Sequence, residues 1–125
     1  MTRSSAIGLV LLAVLLTVFA QLAFRAQVGT MPALPADLGG RLVFVLKVLT
    51  SPLVIAALVA AGIVAVCWTM ALTALPLSVA YPMLSLTFPL VVVGAHYFFG
   101  ELVDWRTFAG LFLILAGITV MNVRG

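Results

Sequence analysis

One line of polar side chains runs down an otherwise apolar stretch, Ser78–Glu101, SVAYPMLSLTFPLVVVGAHYFFGE. On a helix, Ser78, Tyr81, Ser85, Pro89, Val92 and His96 fall within an arc of about 80°. Pro82 and Pro89 add to that line, because a proline inside a helix removes the hydrogen bond to the carbonyl four residues earlier. Those carbonyls belong to Ser78 and Ser85. In hydrocarbon, freed acceptors and hydroxyls must find partners, so this face lines a cavity, a substrate path or another helix. Close helix packing uses serines and prolines too. A tyrosine and a histidine are bulky for a tight crossing, however, and an intramembrane ionisable group marks a functional site. The path is therefore the expected role, with His96 near enough to the span end to meet headgroup water.

A second, shorter line joins Thr17, Gln21 and Arg25 at four-residue steps. Arg25 ends an apolar run, where its stem can snorkel to headgroups. Its alignment with Gln21 suggests another role, holding the phosphate of an amphipathic substrate, since a planar guanidinium makes two hydrogen bonds to one phosphate. The chain has only three acidic residues: Asp37, and Glu101 and Asp104 in one turn. They form no catalytic dyad, lone His96 has no His or Cys partner for a metal, and no Gly-x-x-x-x-Gly-Lys loop holds a nucleotide. An enzyme, a metal site and a cofactor are not expected. Cys67, the single cysteine, excludes an internal disulfide.

The elements that carry these lines must live in lipid. Of the 125 residues, 66% are hydrophobic and 7% charged, and mean hydropathy is +1.39. A membrane span needs roughly 20 apolar residues, and four segments qualify: about 5–24, 53–74, 79–99 and 107–123. The expected fold is an all-α membrane protein of four transmembrane helices in one domain over 1–125, in a dimeric bundle. A soluble bundle would need charged outer faces, and Leu53–Leu75 has no charge. The first apolar run is longer than the core of a cleaved signal, so it reads as a retained span. With a net charge of +3 and basic residues at span ends, anionic lipid is the expected partner and nucleic acid is not.

Between the first two spans lies an interfacial connection, 26–52. Leu38, Leu42, Val45, Leu46 and Leu49 form an apolar helical stripe there, with Lys47 opposite and Arg41 to one side, as in a short basic helix lying on a membrane. The other connections are so short that neighbouring spans run antiparallel. Arg3 and Arg124 on one face, against Arg25, Arg41, Lys47 and Arg106 on the other, lean towards both termini outside; four against two leaves orientation open. In the last span, Ala109–Gly110 and Ala116–Gly117 repeat every two turns, which allows close helix approach. Since four helices enclose little space alone, Gly110 and Gly117 are the expected dimer interface.

The LPLSVAYPMLSLTFPLVVVGAHYFFGE stretch, the four short spans and the Gly110/Gly117 spacing resemble the small four-helix members of the drug/metabolite transporter superfamily. The resemblance covers nearly the whole chain. Within that group, VAYPMLSL and the glutamine of AQLAFR are similar to the paired flippase subunits that move 4-amino-4-deoxy-L-arabinose-phosphoundecaprenol across the bacterial inner membrane. That likeness implies a flippase for an undecaprenyl-phosphate-linked aminosugar, working as a homodimer or with a related small subunit. Arg25 or Lys47 would take the phosphate; Gln21, Tyr81 and Ser85 the hydroxylated headgroup; and Glu101 an amino group, with the polyprenyl tail left in lipid. The small multidrug resistance family is a rival relative. Its exporters use a first-helix carboxylate, and aligning their terminal basic residue on Arg25 puts Thr17 at that position, which argues against export of cations. A third class is a noncatalytic accessory membrane subunit of a glycosyltransferase.

Overall fold

The computed structural model describes residues 1–123, so Arg124 of the charge argument lies outside the described residues. The order of helices is α1 (Arg3–Gly29), α2 (Leu38–Leu49), α3 (Pro52–Ala71), α4 (Leu77–Met83), a 3₁₀ turn (Leu84–Leu86), α5 (Thr87–Phe99) and α6 (Trp105–Asn122). No strand occurs among the described residues. Four helices are long and apolar enough to cross a membrane, with α4, the turn and α5 counting together as the third. The protein is an all-α, multi-pass membrane protein.

Capping residues set most of the boundaries. The side chains of Thr2, Asp37, Ser51 and Asp104 accept from the backbone N–H three residues on, opening α1, α2, α3 and α6. Proline breaks the third span. Pro82 and Pro89 lack the N–H that an α-turn needs, and between them the chain tightens, with the Leu84 N–H turning to the carbonyl of Tyr81. α1 runs past Phe24 to Gly29, longer than the apolar run alone suggests, so Arg25 sits on the body of the helix.

α1 is the central helix, flanked by α3 along one side and by α5 on another. The α1–α3 seam is built from small residues. Ala6, Ala13 and Ala20 recur every two turns of α1 and meet Ala57, Ala60, Cys67 and Ala71 of α3, all buried. Small side chains bring the backbones close, and in lipid the gain is van der Waals contact. One end of the bundle is closed by Ala6, Val10, Ala71, Leu75, Ala80 and Met83; towards the other end, Ala20, Ala23 and Ala57 tie α1 to α3 only. On α2 the buried residue is Val48, while Leu38, Leu42, Val45 and Leu46 face outward. α6 leans on α4 and the 3₁₀ turn, and none of its residues is buried.

Candidate functional site

The divergence of α3 from the broken third span leaves a groove of about 470 Å³ in front of α1. Thr17 forms its floor; Val64, Ala65 and Trp68 form one wall, and Tyr81, Leu84, Ser85, Thr87 and Phe88 the other. The two polar lines of the sequence meet here, through Thr17 from one and Tyr81 and Ser85 from the other. Tyr81 is held edge-on by Trp68, with ring centroids 6.3 Å apart and an interplanar angle of 72°. Ser78 lies beyond it, in a shallower hollow shared with Tyr81, Pro82 and Met121.

What the hydroxyls do separates a path from mere packing. Thr69 and Thr119 each turn back to the carbonyl four residues earlier at 2.8 Å, which satisfies a hydroxyl in lipid at little cost. Among the described residues, the side chains of Thr17, Tyr81 and Ser85 make no hydrogen bond within the protein, and no polar side chain is buried. Their donors and acceptors are open to whatever occupies the groove.

At the other end of α1 lies an ion pair. The Arg25 Nε is 3.9 Å from the Glu101 Oε1, with side chains 49% and 46% exposed, and the guanidinium sits 5.3 Å above the Phe99 ring. Gly29, one turn on, leaves room for it, since a Cβ there would come within 3.2 Å of the Arg25 Nη1. The backbone holds Glu101 in place. Gly100 closes α5 in the left-handed region, φ 65°, where glycine carries no Cβ penalty. The Glu101 N–H bonds the Ala95 carbonyl at 3.4 Å, and His96 Nδ1 donates to the Glu101 carbonyl at 2.8 Å. His96 therefore fixes the cap that presents Glu101 and makes no contact with the groove of Tyr81 and Ser85.

The three carboxylates are all accounted for. Asp37 caps α2 through the Gly40 N–H at 2.8 Å, Asp104 caps α6, and Glu101 faces Arg25. The Thr107 backbone N–H, then its hydroxyl, hold the Asp104 carboxyl below its usual 3.8. Gln21 is exposed between the groove and the ion pair and lines neither cavity. Lys47 lies apart, against a hollow of about 290 Å³ with Pro32, Pro35, Gly40 and Phe44, and no ion pair links it to Glu101. A Cβ on Gly110 or Gly117 would meet nothing within 4 Å, so both face open space. Among the described residues no cluster of ligating side chains holds a metal.

Three residues of this region escape the sequence reading. Trp68 braces Tyr81, Phe99 underlies Arg25, and buried Gly94 is where α5 comes close to Leu22 of α1. Trp68 alone had a visible signal, a tryptophan deep in an uncharged span.

Groove, broken helix and ion pair belong to a small multi-pass membrane protein with four apolar spans. A Shewanella sediminis protein named "probable 4-amino-4-deoxy-L-arabinose-phosphoundecaprenol flippase subunit ArnF" is 38% identical over 119 residues, 88% of this chain and 82% of its own. The chain belongs to the family of these flippase subunits. The Pseudomonas aeruginosa subunits named ArnE are 43% identical over 74 residues, 59% of this chain and 64% of theirs, so that match spans less than two thirds of their length. The Pectobacterium atrosepticum ArnE is 49% identical over 61 residues, 49% of this chain and 54% of its own. No family model and no solved structure matches the chain.

Proposed function

We propose that this chain is a subunit of a bacterial inner-membrane flippase that carries an undecaprenyl-phosphate-linked aminosugar. The observation that carries the reading is the Arg25–Glu101 pair at 3.9 Å. One fixed cation beside one fixed anion is the charge complement of a headgroup bearing a phosphate and an ammonium. Arg25 takes the phosphate bidentately, Glu101 takes the amine and Gln21, on the same line of α1, meets a sugar hydroxyl; Tyr81 and Ser85, in the groove about 12 Å further along α1, exchange hydrogen bonds with the sugar hydroxyls at another stage of the crossing. Lys47 attracts the anionic phosphate of the headgroup to the membrane face. The relatives' names support the reading, since each is called a flippase subunit for a lipid of this charge type.

Two chains, identical or related, meet through α6. Support for this comes from its lack of buried residues and the open faces of Gly110 and Gly117. Such a dimer joins two grooves into a path. Export of cationic compounds is disfavoured, because α1 carries no carboxylate and Thr17 stands on the groove floor.

The test is translocation in proteoliposomes, with the chain alone and with a second small subunit from the same bacterium. Accessibility of the aminosugar headgroup is read at the outer leaflet. Arg25→Gln abolishes transport, Arg25→Lys retains part of it, and Glu101→Gln slows the aminosugar lipid more than an uncharged-sugar lipid. Full transport by Arg25→Gln, or proton-coupled uptake of quaternary cations, overturns the proposal. Co-purification with a glycosyltransferase that loses activity without this chain favours the accessory role instead.

A further inference from the structure

A second hollow, of about 370 Å³, opens on the same side of α1 as the ion pair. Its walls are Phe19, Leu22 and Ala26 of α1, Leu53 at the start of α3, and Phe98 and Phe99 at the end of α5. Every side chain lining it is apolar. Phe99 belongs to both features: its ring forms part of this wall and lies 5.3 Å beneath the Arg25 guanidinium. Leu22 is wedged against buried Gly94, where a Cβ would come within 2.7 Å of its Cδ1, and this contact sets how far α5 stands from α1 beside the hollow.

We propose that this groove seats the first isoprenoid units of the carrier lipid, so that headgroup and tail are held at adjoining sites bridged by Phe99. The inference rests on the flippase reading and adds a tail site to it. A phosphate on Arg25 is covalently joined to the first carbon of its own chain, so the hydrocarbon must begin within a few ångströms of Phe99. The apolar wall closest to that point is this groove. Three phenyl rings, Phe19, Phe98 and Phe99, give flat faces to the planar, methyl-branched isoprene unit, which fills such a slot better than a straight acyl chain. The carrier's own tail is thus the occupant, in preference to bulk lipid or a neighbouring helix.

The experiment uses the full chain in nanodiscs and three probes: undecaprenyl phosphate, phosphatidic acid and a tail-free sugar phosphate. Ala26→Trp and Leu53→Trp each fill the groove without replacing a charged residue. Either variant weakens undecaprenyl phosphate about fivefold, a modest loss because an expelled tail re-enters lipid and forfeits packing rather than gaining contact with water. Binding of the tail-free sugar phosphate is unchanged. A photoreactive undecaprenyl phosphate labels the peptides bearing Phe19 and Phe98, and excess phosphatidic acid does not displace it. Unchanged undecaprenyl phosphate affinity in both variants overturns the tail site, as does equal competition by phosphatidic acid, which makes the occupant bulk lipid. Crosslinks from Phe98 to a second copy also overturn it, by making the groove a subunit contact. Wild-type binding that labels the groove without translocation overturns the flippase reading and leaves the tail site standing. Translocation unaffected by either tryptophan has the opposite effect.

Discussion

Replacing Gly94 by alanine tests the close approach of α5 to α1. The new Cβ falls 2.7 Å from Leu22 Cδ1, 3.2 Å from Cδ2 and 3.5 Å from Cγ. Both methyls must move, and the space open to them is the apolar hollow that Leu22 already lines. Overfilling of this kind costs about 1–3 kcal/mol. Alanine in place of a helical glycine returns about 1 kcal/mol, so the net change is a destabilisation of about 0–2 kcal/mol. In a Leu22→Ala background the clash is gone and only the helical gain remains, so Gly94→Ala becomes stabilising by about 1 kcal/mol. The coupling between the two sites is then about 1–3 kcal/mol, as expected for residues in contact. Reversible unfolding in mixed micelles, followed by helical circular dichroism, measures all four corners of the cycle. An effect of Gly94→Ala with the same sign and size in both backgrounds refutes the reasoning, because the glycine then serves some purpose other than room for Leu22.

Tyr81→Phe keeps the edge-on contact with Trp68 and removes one hydroxyl. It lowers transport in proteoliposomes by about two- to tenfold, the worth of one neutral hydrogen bond, while expression and assembly are unchanged. Gly110→Leu with Gly117→Leu leaves the fold of the single chain at least as stable as the parent, since a Cβ at either position meets nothing within 4 Å and each replaced glycine gains helix propensity, yet crosslinking shows the dimer fraction falling sharply. Asp104 has a lowered carboxyl in the folded state. Its contribution to stability is complete above its ordinary value of 3.8 and lost as pH falls through the lowered one. The melting temperature of the parent therefore drops more than that of Asp104→Asn below about pH 4, and parallel acid profiles for the two would remove Asp104 as the cause.

The membrane architecture was legible because it depends on runs of apolar residues, and the hydrogen bonds lost in the third span because proline's missing N–H is a local matter; that the chain would tighten into a 3₁₀ turn at Leu84–Leu86 was not, since helical periodicity lays these residues on one continuous helix. The convergence of Thr17 with Tyr81 and Ser85 was half legible. Periodicity places each residue on a face, but only the packing of α1 between α3 and α5 brings the faces together. Arg25 shows the limit more sharply. As a basic residue ending an apolar run it reads as a headgroup anchor, and its partner Glu101 lies 76 positions away across two reversals of the chain. His96 on its helical wheel belonged with the serines; the left-handed turn at Gly100 brings the Glu101 carbonyl back to it instead. Gly94 gave no repeat to find, since one glycine opposite one leucine is a matter of how two helices cross.

The Arg25–Glu101 pair also bears on how such a subunit responds to membrane voltage. Moving one elementary charge through the full potential exchanges about 2.3 kcal/mol per 100 mV with the field. The resting pair sums to zero, and a phosphodiester that also bears an ammonium sums to zero as well. On the proposed flippase reading, exchange of one neutral set of partners for another leaves the field almost nothing to act on, and the potential would neither drive nor oppose the crossing. A headgroup with its amine blocked becomes a net anion, and its passage acquires a voltage dependence that the zwitterion lacks. Clamping proteoliposomes with potassium and valinomycin distinguishes the two, and makes the charge of the travelling headgroup readable as an electrical quantity.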